Sequence, residues 1–282
     1  MIFQKKLDSI VKKNNSLVCV GLDSDINKIP GFIRNGAHPQ STFNKAIIEA
    51  THDLICAYKP NTAFYEQRGH AGIEALKMTC DYIREKYPEI IIIIDAKRAD
   101  IGSTNEGYVK FIFDYLGADA VTLHPYLGKE ALSPFLERKD KGCIILCRTS
   151  NPGAGDLQDL PILTPQVKKR ALQQVKLYKI VAKKVVKDWN KNNNCMLVVG
   201  ATYPKELKEV RKIAGDMTFL VPGVGAQGGD IEQTVQAGLN SKKAGMIINS
   251  SRGIIFASSG NDFTQAARTE AQKLRDAINL YR

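Results

Sequence analysis

A chain of 282 residues, 44% of them hydrophobic and 24% charged, is long enough to bury a large core and has the composition of an ordinary soluble globular protein. No apolar run nears the ~18 residues of a membrane span, and Met1-Ile2-Phe3-Gln4-Lys5-Lys6 lacks the apolar core of a secretion signal, so a cytoplasmic enzyme is the expectation. The net charge of +11 raises nucleic-acid binding, but the basic residues are dispersed, and their densest stretch, 168–191, reads as a solvated helix face.

In chain order, an amphipathic stretch at 2–13 predicts a helix ahead of the first strand. Short apolar runs then follow at 17–23, 55–61, 90–97, 120–125, 143–150, 196–202, 218–224 and 246–250. Several are apolar on consecutive residues, Ile90 to Ile94 being five isoleucines in succession. That pattern suits parallel strands covered on both faces. Between and after them, amphipathic stretches at 72–87, 104–116, 165–190, 204–214, 230–237 and 263–280 predict helices. Eight β/α units without a composition break predict an α/β fold, a (β/α)8 TIM barrel with an extra N-terminal helix, as one domain over 1–282. An open doubly wound sheet is the structural alternative. The longest connections, 24–40 and 151–164, both follow strands, where the active-site loops of such barrels lie.

The cysteines at 19, 56, 80, 143, 147 and 195 form no C-x-x-C pair and read as reduced core residues. His38, His52, His70 and His124 form no metal-binding motif. Neither set supports a metal.

The informative segment is Asp95-Ala96-Lys97-Arg98-Ala99-Asp100-Ile101-Gly102, at the end of the isoleucine strand. Residues two apart on a strand share a face, so Asp95 and Lys97 both face the mouth of a barrel, while Asp100 lies beyond the strand. Opposite charges ~4 Å apart attract by about 4 kcal/mol at an effective dielectric of 20. Alternating Asp and Lys therefore hold several charges ionised in a confined site. The first two strands end in Asp23 and Lys59, which brings charges from three consecutive strands to one end. The last two end in Pro222-Gly223-Val224-Gly225-Ala226-Gln227-Gly228-Gly229 and Asn249-Ser250-Ser251-Arg252-Gly253. Glycines allow backbone N–H groups to approach an anion, and Arg252 adds a forked donor for phosphate oxygens. Strand five ends Thr149-Ser150-Asn151-Pro152-Gly153-Ala154, where Ser150 can bond a heterocycle edge.

Together these motifs resemble the orotidine 5′-phosphate decarboxylases, specifically their longer subgroup. The resemblance runs from Gly21-Leu22-Asp23 to Ser251-Arg252-Gly253. It implies a catalytic network of Lys59, Asp95, Lys97 and Asp100 that converts orotidine 5′-monophosphate to UMP without metal or organic cofactor. It also implies a homodimer in which Asp100 and Thr104 act across the interface. Asp23 is then expected on a ribose hydroxyl, Ser150 on the pyrimidine, and Gln227, Arg252 and the backbone near Ser251 on the phosphate. His124 receives no role. Two rival readings are a metal-dependent keto-sugar acid phosphate decarboxylase on the same barrel and a basic nucleic-acid-binding protein. The Ser-Asn-Pro-Gly-Ala and Gln-containing loops argue against the first, and the lack of a cationic stripe with stacking aromatics argues against the second.

Overall fold

A computed structural model describes residues 2–165, 172–224 and 229–282. Its strands in chain order are β1 Val18–Val20, β2 Ala57–Tyr58, β3 Ile91–Arg98, β4 Ala120–Leu123 and β5 Gly142–Arg148, then β6 Pro161–Pro165, β7 Leu172–Lys176, β8 Cys195–Val199, β9 Phe219–Pro222 and β10 Met246–Ser250. Eight of them close in the order β1-β10-β9-β8-β5-β4-β3-β2, every neighbouring pair parallel. The expected barrel is therefore the observed one, and the open sheet is excluded. Parallel pairing needs crossover connections, and the helices that supply them bury both faces of the strands. Ile91 to Ile94 are accordingly all buried.

The extra N-terminal helix is Phe3–Lys13; it buries Phe3, Leu7 and Ile10. It lies across the end of the barrel where strands begin. Lys6 Nζ donates to Asp119 just before β4 at 2.8 Å, and Thr218 Oγ1, just before β9, donates to Gln4 Oε1 at 3.0 Å. The helix thus closes the face opposite the loops that carry the charged motifs. The cysteines are all free and buried; burial pushes the Cys56 thiol up to about 12, which leaves it protonated and unreactive.

One expected element is corrected. The helix predicted for 165–190 begins only at Leu177, as Leu177–Lys184 followed by a π-helical turn Val185–Trp189. Pro165 ends β6, and Leu172–Lys176 is strand β7, antiparallel to β6 from Pro161↔Lys176 to Pro165↔Leu172. Leu, Gln and Lys are adequate helix formers, but pairing with β6 supplies the backbone bonds of 172–176 and overrides that propensity. Residues 166–171 of the predicted helix lie outside the described residues. A further helix, Pro39–Thr51, sits between β1 and β2. Its inward face carries Gln40, Asn44 and Thr51 as well as Phe43, Ile47 and Ile48, so it lacks a clean apolar stripe.

Candidate active site

At the C-terminal end of β3, pairing with β4 jumps from Ile94↔Val121 to Arg98↔Leu123, so four steps on β3 answer two on β4. This bulge re-aims the side chains between those points. Lys97 within it takes a left-handed backbone with φ of 45°, a conformation that costs a non-glycine residue about 1 kcal/mol or more. Its N–H is held at 2.9 Å by Thr122 Oγ1 of β4. The strained turn brings Lys97 Nζ back to 2.7 Å from Asp95 Oδ1.

Asp95 is the hub. Its Oδ1 accepts from Lys97 Nζ and, at 2.8 Å, from Thr122 Oγ1. Its Oδ2 accepts from Lys59 Nζ at 2.8 Å and from Asn61 Nδ2 at 3.4 Å. Burial alone pushes the Asp95 carboxyl up, but the Lys59 and Lys97 ammoniums outweigh it and hold the group far below the usual carboxylate range. Burial likewise pushes Lys59 down, and the carboxylates of Asp95 and Asp23 reverse that, leaving its ammonium above the ordinary lysine value. The two lysines are not equivalent: the Lys59 side chain is 5% exposed and that of Lys97 49%. Lys59 is a fixed buried charge, and Lys97 is the ammonium that a ligand can reach.

These groups line a cavity of about 510 Å³ with Asp23, Ser150, Asn151, Thr149, Gln158 and Asn249 among its other walls. A second recess of about 230 Å³ is lined by Gly223, Val224, Ser250, Ser251 and Arg252, and Asp23, Pro222 and Asn249 belong to both. One trough therefore runs from the charge network to the ends of β9 and β10. Asp23 Oδ1 is buried with no hydrogen-bond donor among the described residues, an acceptor left to a ligand. Ser251 donates to Gly21 O at 3.0 Å, and a Cβ on Gly21 would lie 2.6 Å from Ser251 Cβ, so glycine there is what lets β1 and the loop after β10 meet. In the same way a Cβ on Gly200, after β8, would lie 2.8 Å from the Ser150 backbone. No group of three or more His, Cys, Asp or Glu among the described residues is placed to hold a metal ion.

The expected residues Asp23, Lys59, Asp95, Lys97, Ser150, Ser251 and Arg252 thus meet along one trough. Gln227 lies outside the described residues. Asp100 and Thr104 do not join them within this chain: neither lines either cavity. The Asp100 backbone N–H donates to Asn105 Oδ1 at 2.9 Å and its Oδ1 accepts from Ile101 N at 2.7 Å, while Thr104 is exposed. His124 bonds the Ala99 carbonyl at 3.1 Å, a brace for the turn after β3. Sequence reasoning missed Thr122, Asn61, Asn249 and Gln158. A threonine near the end of an apolar strand was a usable signal for Thr122; nothing in the sequence singles out Gln158.

A closed parallel barrel whose charged residues gather at the C-terminal ends of its strands defines a TIM-barrel enzyme. The model of the orotidine 5′-phosphate decarboxylase / HUMPS family matches residues 16–268. The chain is 48% identical over 284 residues to orotidine 5′-phosphate decarboxylase of Cellvibrio japonicus (strain Ueda107), covering 100% of both chains. It is 47% identical over 283 residues to that of Ralstonia nicotianae, again over 100% of both. Among solved structures, Leishmania donovani OMP decarboxylase superposes with a TM-score of 0.83 at 37% identity, over 100% of this chain and 99% of that one. Leishmania donovani UMP synthase gives 0.84 at 40%, over 100% of this chain and 56% of that one. This chain belongs to the orotidine 5′-phosphate decarboxylase / HUMPS family.

Proposed function

We propose that this chain decarboxylates orotidine 5′-monophosphate to UMP, the last step of pyrimidine nucleotide synthesis, with Lys97 as the proton donor. The observation that carries the reading is the half-exposed Lys97 ammonium fixed 2.7 Å from a buried carboxylate, in a cavity continuous with a Gly-Ser-Arg recess. When the bond from C6 to the carboxylate breaks, CO₂ leaves and the electron pair stays on C6 in the ring plane, where no π system spreads it. A preorganised ammonium stabilises that charge and then transfers a proton to C6. Asp95 stands beside the departing carboxylate, and Lys59 keeps Asp95 ionised and oriented.

Asp23, with its unpaired Oδ1, is the acceptor for a ribose hydroxyl, and Ser150 is the contact to the pyrimidine. The Arg252 side chain makes no ion pair or hydrogen bond among the described residues, and the residue is exposed at the mouth of the smaller recess. With Ser251 and Gln227 it forms the proposed grip on the phosphate. Binding energy from that remote group is then available to order the charged end. Asp100 and Thr104 act in the neighbouring subunit of a homodimer. The turn that carries them exposes Ile101 at 62%, and the adjoining loop after β4 exposes Tyr126 at 80% and Leu127 at 45%, apolar surface suited to a partner subunit. A cytoplasmic, single-domain enzyme is part of the same reading.

The test is loss of orotidine monophosphate absorbance with purified, metal-stripped protein in excess chelator. Sustained turnover is expected; a strict metal requirement or no turnover would sink the proposal. Lys97→Ala is expected to abolish measurable decarboxylation while UMP still binds, and near-native turnover would remove Lys97 from its role.

A further inference from the structure

The segment after β5 contributes a side chain to the cavity that no motif marks. The helical turn Gly155–Gln158 ends in Gln158, which lines the larger cavity beside Thr149, Ser150 and Asn151. Its amide orientation is fixed without ambiguity. Gln158 Oε1 accepts from the Thr149 backbone N–H at 2.8 Å, and a backbone N–H can only donate. Gln158 Nε2 therefore points the other way and donates to Thr149 Oγ1 at 2.8 Å, and Thr149 Oγ1 in turn donates to Asn151 Oδ1 at 2.6 Å. That chain uses one of the two Nε2 hydrogens. No acceptor among the described residues takes the other.

The position of this amide is secured from behind. Asp159 Oδ2 accepts from Arg148 Nη2 at 3.0 Å, and the Arg148 side chain is 3% exposed. The Arg148 guanidinium also stacks over Tyr203 at 4.0 Å and donates to the Thr149 carbonyl at 3.0 Å. Lys176 of β7 adds a second ion pair to Asp159 at 3.4 Å. A glutamine braced on both sides is preorganised and loses little freedom when a ligand arrives.

We infer that Gln158 is a further specificity-determining residue, whose free Nε2–H donates to an exocyclic oxygen of the substrate's pyrimidine ring. The inference rests on the pyrimidine-nucleotide reading above. Ser150 shares this wall, and its hydroxyl both donates and accepts. Gln158 adds a donor of fixed direction, and a ring carrying carbonyl oxygens at its edge satisfies it. A site built to hydrogen-bond a ligand rejects analogues that cannot return the bond.

The experiment compares the wild type with Gln158→Glu, binding UMP and ribose 5-phosphate separately by calorimetry. The second ligand keeps the sugar and phosphate but has no ring. Gln158→Glu retains the Thr149 brace through one carboxylate oxygen and turns the ring-facing donor into an acceptor. UMP affinity is expected to fall by about tenfold or more with ribose 5-phosphate affinity unchanged. Thr149→Val, which removes the hydroxyl that accepts from Gln158 Nε2 and so one of the two anchors of the amide, is expected to lose UMP affinity in the same selective way. Equal UMP binding by wild type and Gln158→Glu overturns the inference. An equal loss of both ligands also overturns it, because the role is then structural only. If the wild type binds ribose 5-phosphate but not UMP, the nucleotide reading itself fails, and the inference with it.

Discussion

Asp95 concentrates the energetics of the site in a single carboxylate. Two ammoniums, a hydroxyl and an amide satisfy it, and burial makes each of those bonds obligatory. Asp95→Asn leaves Lys59 as a buried charge without its carboxylate. Breaking such a pair costs roughly 3–5 kcal/mol, to be read from denaturant unfolding at neutral pH. The pH dependence follows from the two shifts. Asp95 is depressed from the ordinary 3.8, so its contribution is present above that value and is lost as pH falls through the folded-state value. Lys59 is raised from 10.5, so its contribution is present below that value and is lost as pH rises through the folded-state value. The contribution of this pair to wild-type stability is therefore expected to be constant between about pH 4 and pH 10 and to shrink outside that window, read as the pH dependence of wild-type unfolding. An Asp95→Asn protein as stable as the wild type at neutral pH would mean that Asp95 and Lys59 are not the ionised pair. Sequence alternation correctly puts Asp95 and Lys97 together, but the bulge and the left-handed backbone of Lys97 accomplish it, and neither is legible in Asp-Ala-Lys.

Among the elements, strand ends carry the chemistry and glycines set how closely they approach. Gly200 leaves room for the Ser150 backbone where β5 and β8 diverge. A Cβ at 2.8 Å from backbone atoms cannot be relieved by a side-chain rotation. Gly200→Ala is expected to cost ~1–3 kcal/mol of stability and to raise KM more than it lowers kcat, because Ser150 moves from the proposed ring contact while Lys97 stays. Unchanged thermal stability and KM would show that the strand ends can part without loss. The β6–β7 hairpin and the helix Pro39–Thr51 mark where periodicity gave no guide. Residues 172–176 carry helix-forming side chains yet pair as a strand, with Leu172 66% exposed. In Pro39–Thr51 the buried face is partly polar: Gln40 donates to the carbonyls of Ser24 and Phe64, and Asn44 to Tyr65 and Thr79. A face stabilised by hydrogen bonds instead of apolar area leaves no hydrophobic stripe to find.

For the molecule as a whole, the closed barrel converts chain order into a ring, so that β1 lies beside β10 and Asp23 beside the loop bearing Arg252. The net charge of +11 is expected to favour encounter with an anionic substrate, an effect that salt weakens. The ring also fixes what one chain cannot supply. Asp100 lines neither cavity of its own chain, and it is proposed to act in a second copy. Mixing inactive Lys97→Ala and Asp100→Ala proteins is expected to restore activity, since a hybrid dimer has both intact residues at one of its two sites. No recovery after demonstrated subunit exchange would assign Asp100 to its own subunit or to no catalytic role.

By itself the sequence determined parallel β/α units, because strands buried on both faces must be apolar on consecutive residues, while their closure into a barrel was decided by the pairing of β1 with β10. The sequence also marked Asp23, Lys59, Asp95, Lys97 and Arg252, because a charge directly after such a strand has to be paired or put to use. Only the tertiary structure decided that Lys59 is buried and Lys97 accessible, that Thr122 and Asn61 complete the shell of Asp95, and that Gln158 enters the cavity. Those outcomes depend on which strand ends become neighbours and how far each side chain is withdrawn from water, and neither is a property of a residue and its neighbours in the chain.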